Sequence, residues 1–266
     1  MNQYEKRMLA ILTEGREKYG IVSVKAEFEA EGTRSDEFLR LLEIARRAGV
    51  KVGLKIGGCE AIRDLIEARQ YGVDYVIAPM VETPYALTKY IAAKDKIYPA
   101  DERSDVSWLF NIETLSTFEH LAELGEVASA GQTGFVFGRV DFAGSMGHTR
   151  DFVNTPEMEK YITAVATVAR DRNLELVVGG GVSPASIPLL SAVRKIRLDR
   201  FETRKVIFDG AVLEDGRAEA GMELAIEFEL LWLKNKRDFY QGIASEDAPR
   251  IAMMEARQNT KVSEAA

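Results

Sequence analysis

Short apolar runs rich in β-branched residues alternate along the chain with longer segments whose apolar residues recur at helical spacing. The first such pair predicts a strand over 20–29 and a helix over 34–48, which Gly49 ends. The same alternation predicts strands over 50–56, 75–80, 107–112, 134–138, 174–178 and 205–208. It predicts the intervening helices over 61–71, 84–93, 117–124, 155–170 and 184–193.

Strands that alternate with helices are usually joined by helical crossovers and run parallel. The pattern therefore predicts an α/β fold, a (β/α)₈ TIM barrel with extra C-terminal helices. Only seven strands are recognisable, so the eighth is expected in 94–105 or in 9–19. An open doubly wound sheet is the alternative architecture.

The length of 266 residues fits one barrel domain over 1–266, because such barrels have about 250 residues. The barrel core is expected over about 20–210 and the additional helices over 217–258. The stretch 221–240 holds more apolar residues than one helix stripe can contain, among them Met222, Phe228, Leu231 and Trp232. A homo-oligomer in which a neighbouring subunit covers this helix is therefore expected.

Composition narrows the classes of partner. A formal net charge of −7 argues against binding nucleic acid, which needs cationic groups against phosphates. No stretch approaches the roughly 18 consecutive apolar residues that cross a bilayer, and no signal peptide is recognisable at the N-terminus. The one cysteine, Cys59, cannot form an intrachain disulfide. A cytoplasmic protein that binds a small molecule is the expectation.

Polar residues that follow barrel strands are the candidates for chemistry, since the carboxyl ends of the strands build the active site. Glu113 and Asp141 end two successive predicted strands and could share a hard divalent cation. Each could instead cap the helix that follows it. Lys55 also ends a strand, where it could pair with a substrate carboxylate, form a Schiff base or make a salt bridge at the rim.

Three sequence motifs resemble those of the HpcH/HpaI 2-oxo-acid aldolase and citrate lyase β-subunit family. They read APMVET at 78–83, NIET at 111–114 and FGRVDFAGSMG at 137–147, within a resemblance that covers about 20–208. The resemblance implies a TIM barrel in which Glu113 and Asp141 ligate Mg²⁺ or Mn²⁺. It also implies that members exchange a C-terminal helix between subunits, so a hexamer is favoured.

The resemblance further implies which residues hold a pyruvate-type substrate. Backbone N–H groups around Gly138, Arg139 and Val140 would receive its carboxylate. The other expected substrate-binding residues are Glu82, Ser145 and, from a nearby loop, His148.

Two positions depart from the family pattern. Lys55 stands where the aldolases have an arginine, and Lys lacks its bidentate fork. The aldolases' Glu-His pair is replaced near the first strand by Glu27 and Glu29, without a histidine. Lys55, Glu27 and Glu29 are therefore the expected catalytic residues.

These features favour a metal-dependent carbon–carbon lyase that adds pyruvate or a related 2-oxo acid to an aldehyde, or removes it, on a sugar-acid type of substrate. A citrate-lyase-like enzyme acting on an acyl-CoA is one alternative. A non-catalytic barrel that binds a metabolite is the other.

Overall fold

Eight strands close into one barrel in chain order in the computed structural model, which describes residues 1–264 and their side chains as far as Gln258. The strands are β1 (Ile21–Glu27), β2 (Lys51–Lys55), β3 (Tyr75–Ala78), β4 (Ser107–Ile112), β5 (Gly134–Gly138), β6 (Leu176–Gly179), β7 (Arg200–Glu202) and β8 (Val206–Asp209). A closed barrel has no edge strands, so the open doubly wound sheet is excluded.

Helices precede, connect and follow the strands. They are α1 (Gln3–Lys18), α2 (Ser35–Ala48), α3 (Ile62–Tyr71), α4 (Pro84–Ile97), α5 (Ala100–Arg103), α6 (Leu115–Glu119), α7 (Leu121–Gly131), α8 (Arg139–Ser145), α9 (Pro156–Asp171), α10 (Ile187–Arg194), α11 (Ala218–Glu246) and α12 (Ala248–Glu264). Short 3₁₀ helices lie at Arg150–Asn154, Pro184–Ser186 and Gly210–Leu213. Across residues 1–264, no helix combines the length and apolar character that crossing a membrane requires.

The last two strands differ from the prediction. The missing strand is β7, whereas 9–19 lies largely in α1 and 94–105 holds the end of α4 and all of α5. In addition, β8 runs antiparallel to both β7 and β1, although β1 to β7 pair in parallel. Only residues 203–205 separate β7 from β8, and a parallel pair needs a crossover of about a dozen residues. The two strands therefore form a hairpin.

Alternation along the strands divides the apolar residues into two cores. The larger core lies between the strands and the surrounding helices. A separate cluster of Ile77, Leu109, Val136 and Val177 comes from four neighbouring strands and fills the barrel interior. This apolar layer separates the charged residues at the two ends of the barrel.

Candidate active site

Buried charged side chains line the end of the barrel where β1 to β7 finish, which we call the mouth. Glu27, Lys55, Glu113 and Glu202 are each at most 9% exposed. Period-two alternation puts Lys25 on the same face of β1 as Glu27. The turn between β7 and β8 closes the part of the mouth where an eighth parallel strand would have ended.

The first charged cluster contains Lys55, Glu29 and Glu113. Lys55 Nζ lies 3.0 Å from Glu29 Oε2 and 3.5 Å from Glu113 Oε2. Burial alone would lower the pKa of Lys55, but attraction to Glu113 and Glu29 outweighs it and the pKa is raised. Lys55 is therefore held as an ammonium group inside the mouth and is not a rim residue.

Glu113 is fixed by donors from two further residues. Its Oε1 accepts the backbone N–H of Met80 at 2.8 Å, and its Oε2 accepts Asn111 Nδ2 at 2.5 Å. Met80 has the left-handed φ of 51°, which is unusual for a residue with a side chain. The helix after Glu113 is capped instead by Thr114, so the capping interpretation of Glu113 is wrong.

The second charged cluster is centred on Lys25. Its Nζ lies 2.5 Å from Glu202 Oε1 and 3.3 Å from Glu27 Oε1. Burial alone would lower the pKa of Lys25, but attraction to Glu202 and then Glu27 raises it. Because β1 ends at Glu27, Glu29 lies beyond the strand and pairs with a different lysine.

Backbone groups at the start of α8 form another part of the mouth. Gly138 lies against Glu113, because a Cβ there would come 3.2 Å from Glu113 Oε2. Gly180, with a φ of 79°, lies beside the amides of Arg139 and Val140, and a Cβ at this position would come 2.7 Å from either nitrogen. Only glycine can approach these N–H groups so closely.

Asp141 lies in the first turn of α8 and is exposed. A carboxylate in this position interacts favourably with the helix dipole, as in the capping interpretation. Among the described side chains, no hydrogen-bond or ion-pair partner of the Asp141 carboxylate is found. Its oxygens are therefore available to a ligand.

The side chain of Arg139 turns away from the mouth. It is fully buried and donates to the carbonyl oxygens of Gly179 and Val153, to Asn154 Oδ1 at 2.8 Å and to Ser186 Oγ. Burial lowers its pKa to about 10. Arg139 thus ties together the loops after β5 and β6, and only its backbone can face a substrate.

The remaining predicted substrate-binding residues lie at or beyond the rim. Glu82 Oε1 accepts from Thr114 Oγ1 at 2.9 Å, beside Glu113. Ser145 Oγ accepts the N–H of Leu115 at 2.9 Å and so links α8 to the start of α6. His148 is exposed and stacks on Phe152 with ring centroids 4.0 Å apart. None of these three residues contacts the first or the second charged cluster directly.

Several charged residues of the mouth were not among the predicted site residues. Lys25 and Glu202 form the second cluster, and Lys205 pairs with Glu31 at the rim. Burial lowers the pKa of Lys205, against the attraction of Glu31. Alternation from Glu27 would have pointed to Lys25. Glu202 stands among the polar residues near the strand ends, but a role for it needed knowledge of β7.

The carboxylates of the mouth are compatible with a hard divalent cation, for which water and substrate oxygens would supply most of the ligands. Within the described residues, no three His, Cys, Asp or Glu side chains form a ready-made cage. Glu113 and Asp141 nevertheless offer carboxylate oxygens, and Mg²⁺ is typically bound by one or two carboxylates plus substrate. Four glutamates face only two lysines in the two clusters, so a cation would also offset excess negative charge.

Comparison with solved structures shows what this barrel resembles. An HpcH/HpaI aldolase/citrate lyase family protein from Burkholderia cenocepacia is 12% identical with a TM-score of 0.62, covering 90% of each chain. The HpcH/HpaI aldolase from Desulfitobacterium hafniense is 16% identical with a TM-score of 0.60, covering 84% of this chain and 89% of that one.

A variant of the citrate synthase SbnG is 12% identical with a TM-score of 0.54, covering 74% of this chain and 81% of that one. No protein-family model matches the sequence, and no curated protein matches it. At these identities the likeness shows a shared fold, the barrel found among HpcH/HpaI aldolase and citrate lyase proteins.

Proposed function

We propose that this protein is a carbon–carbon lyase that makes or breaks a bond next to the carbonyl of pyruvate or a related 2-oxo acid. The observation that carries the proposal is the buried Glu113, which Lys55, Asn111 and the Met80 amide fix beside Gly138. The structural neighbours named as aldolases support the same reaction class.

In this proposal Glu113 and Asp141 hold Mg²⁺ or Mn²⁺ at the mouth. The cation would stabilise negative charge that develops on the 2-oxo oxygen. The amides of Arg139 and Val140 receive the substrate carboxylate. Lys55 donates to a substrate oxygen, and Glu27 or Glu29 takes the proton from the carbon next to the carbonyl.

Proton exchange tests this function without knowledge of the aldehyde acceptor. The protein with Mg²⁺ or Mn²⁺ should catalyse exchange of pyruvate methyl protons in D₂O, followed by NMR, and EDTA should abolish it. Glu113→Gln and Asp141→Asn should each lower the rate by about a hundredfold, in line with the loss of one strong electrostatic contribution. Circular dichroism should show both variants folded.

A panel of aldehydes incubated with pyruvate then identifies the acceptor. Exchange at the full rate in EDTA-treated protein would contradict the metal assignment. Metal binding by calorimetry, with neither exchange nor aldol product, would instead support the non-catalytic barrel and contradict the lyase.

A further inference from the structure

Two carboxylates in the mouth compete for one buried ammonium group. Lys25 Nζ lies 2.5 Å from Glu202 Oε1 but 3.3 Å from Glu27 Oε1. The three side chains are almost completely buried and carry one positive and two negative charges. Because the distance to Glu202 is shorter, the ammonium pairs mainly with Glu202. The negative charge of Glu27 is therefore less well neutralised than that of Glu202.

We propose that Glu202 is a positioning residue, which draws the Lys25 ammonium closer to itself than to Glu27 and leaves Glu27 as the general base of the proposed lyase. The inference rests on the proposed function. In the proton transfer, a C–H bond of the substrate breaks, an O–H bond forms at Glu27, and the electron pair passes to the 2-oxo oxygen. The same assignment leaves Glu29 as the partner of Lys55, at 3.0 Å.

The fold fixes Glu202 in this position. Gly179 lies directly beneath it, since a Cβ there would come 2.9 Å from Glu202 Cγ and 3.0 Å from Oε1. In the hairpin, Glu202 is paired with Ile207 of β8. Among the described residues, Glu202 Oε2 has no hydrogen-bond partner, so Lys25 provides the bond that orients the carboxylate.

Other charged groups face Glu27 from the turn between β7 and β8. Arg204 and Lys205 are both attracted to Glu27, but each pairs more directly with Glu31, Arg204 at 2.9 Å. Neither cation pairs with Glu202 among the described residues, so a change at Glu202 should leave their pairing with Glu31 in place. Lys25 therefore remains the group whose position Glu202 controls.

The pH dependence of pyruvate proton exchange tests the inference. In Glu202→Gln, Glu27 is the one carboxylate of the cluster left to pair with Lys25, so the acid limb of the rate profile should move to lower pH. The plateau rate should fall about tenfold, because Glu27 becomes a weaker base. In Lys25→Met, Glu27 faces an uncompensated Glu202, so the acid limb should move to higher pH. A role for Glu202 in folding alone would not produce opposite shifts, and the Lys25–Glu27 distance in a structure of Glu202→Gln separates positioning from the loss of a charge.

Two further variants complete the kinetic test. Glu202→Asp restores the charge and should recover part of the plateau rate. Glu175→Gln breaks another ion pair, with Arg200 at 2.8 Å, at the opposite end of the barrel, and should leave the acid limb unchanged. Shifts in the same direction for Glu202→Gln and Lys25→Met, or no shift in either, would overturn the inference.

A crystal structure of Glu202→Gln separates this inference from the proposed function. The Lys25–Glu27 distance should shorten from 3.3 Å to about 2.8 Å, the usual length of a charged hydrogen bond. An unmoved ammonium would refute the positioning role whatever the activity. If Glu202→Gln does not fold, Gly179→Ala displaces the same carboxylate without changing its charge and should shift the limb the same way. Absence of exchange in the unmodified protein would refute the proposed lyase function but not the positioning of Lys25 by Glu202.

Discussion

The buried cations of the barrel are stabilised by different kinds of partner. Lys25 and Lys55 each face two carboxylates, whereas Arg139 donates to neutral carbonyl, amide and hydroxyl oxygens. Carboxylates compensate a buried charge, while neutral acceptors only satisfy its hydrogens. The lysines are thus part of the electrostatics of the mouth, and the arginine supports its wall.

Arg139→Met should lower the free energy of unfolding by about 3 kcal/mol, measured by urea denaturation. The change leaves several buried acceptors without a hydrogen-bond donor. The free energy gained because the guanidinium is no longer buried offsets only part of that cost. Arg150→Met is the matched control, because Arg150 is exposed in the next segment and its loss should cost less than about 0.5 kcal/mol. Equal stability of the two variants would show that Arg139 does not support the wall.

Lys55 should not form a Schiff base. Its two carboxylate partners hold it as an ammonium, which has no lone pair to attack a carbonyl. Incubation with pyruvate and sodium borohydride should therefore leave the mass of the chain unchanged, with a pyruvate-free reaction as control. A reduced pyruvyl adduct on Lys55 would replace the proposed metal-dependent mechanism with a covalent one.

Sequence patterns identified the residues at the ends of long strands better than those in short ones. Glu27, Lys55 and Glu113 were predicted because clear apolar runs precede them. Glu202 is the last residue of a strand of only three residues, which gives no measurable periodicity. The direction of the Arg139 side chain could not be predicted either, since its acceptors come from residues distant in the chain.

At the scale of elements, the length of the connection between two strands determines their relative direction, which residue periodicity does not predict. The alternation of strands and helices correctly predicted the parallel pairing of β1 to β6. It failed for β8, because residues 203–205 are too few for a helical crossover. Recognition of β7 in the sequence would have made the hairpin predictable. The hairpin brings a turn with Lys205 to the mouth, and α11 contacts that turn.

Glu229 of α11 should stabilise this turn. Its Oε1 accepts Thr203 Oγ1 at 2.7 Å and the backbone N–H of Lys205 at 2.9 Å. Glu229→Ala should cost about 2 kcal/mol of unfolding free energy and speed hydrogen exchange at the Lys205 amide, because a buried donor loses its partner. Glu227→Ala, which breaks only a half-exposed pair with Arg7, should cost less than about 1 kcal/mol. Equal effects would rule out a specific role for Glu229.

At the scale of the whole molecule, the C-terminal helices carry apolar residues that the barrel does not cover. On α11, Ile226, Leu230 and Leu233 are between 50% and 62% exposed. Every described side chain of residues 241–258 is exposed, including Ile251 and Met254 of α12. An apolar surface of this extent is typical of a protein–protein interface.

We propose that a second copy of the chain covers this surface. A groove of about 700 Å³ between α2 and α11 is lined by apolar Leu39, Trp232 and Phe239. Its charged lining is acidic on balance, because Glu5, Asp36, Glu37 and Asp238 outnumber Arg40 and Lys236. This balance complements Arg250 and Arg257 of α12. In this proposal the apolar side of α12 from one chain lies in the groove of the next.

The protein should therefore sediment as an oligomer at micromolar concentration, with a hexamer, six times the chain mass of 29.6 kDa, favoured. Ile251→Glu combined with Met254→Glu should dissociate it, because burying two carboxylates in an apolar contact is costly. Gln258→Glu adds a charge on the same helix outside that apolar pair and should leave the assembly intact. A single species of one chain mass in the unmodified protein would refute the oligomer. Unchanged assembly in the double variant, with the oligomer present, would move the contact away from α12.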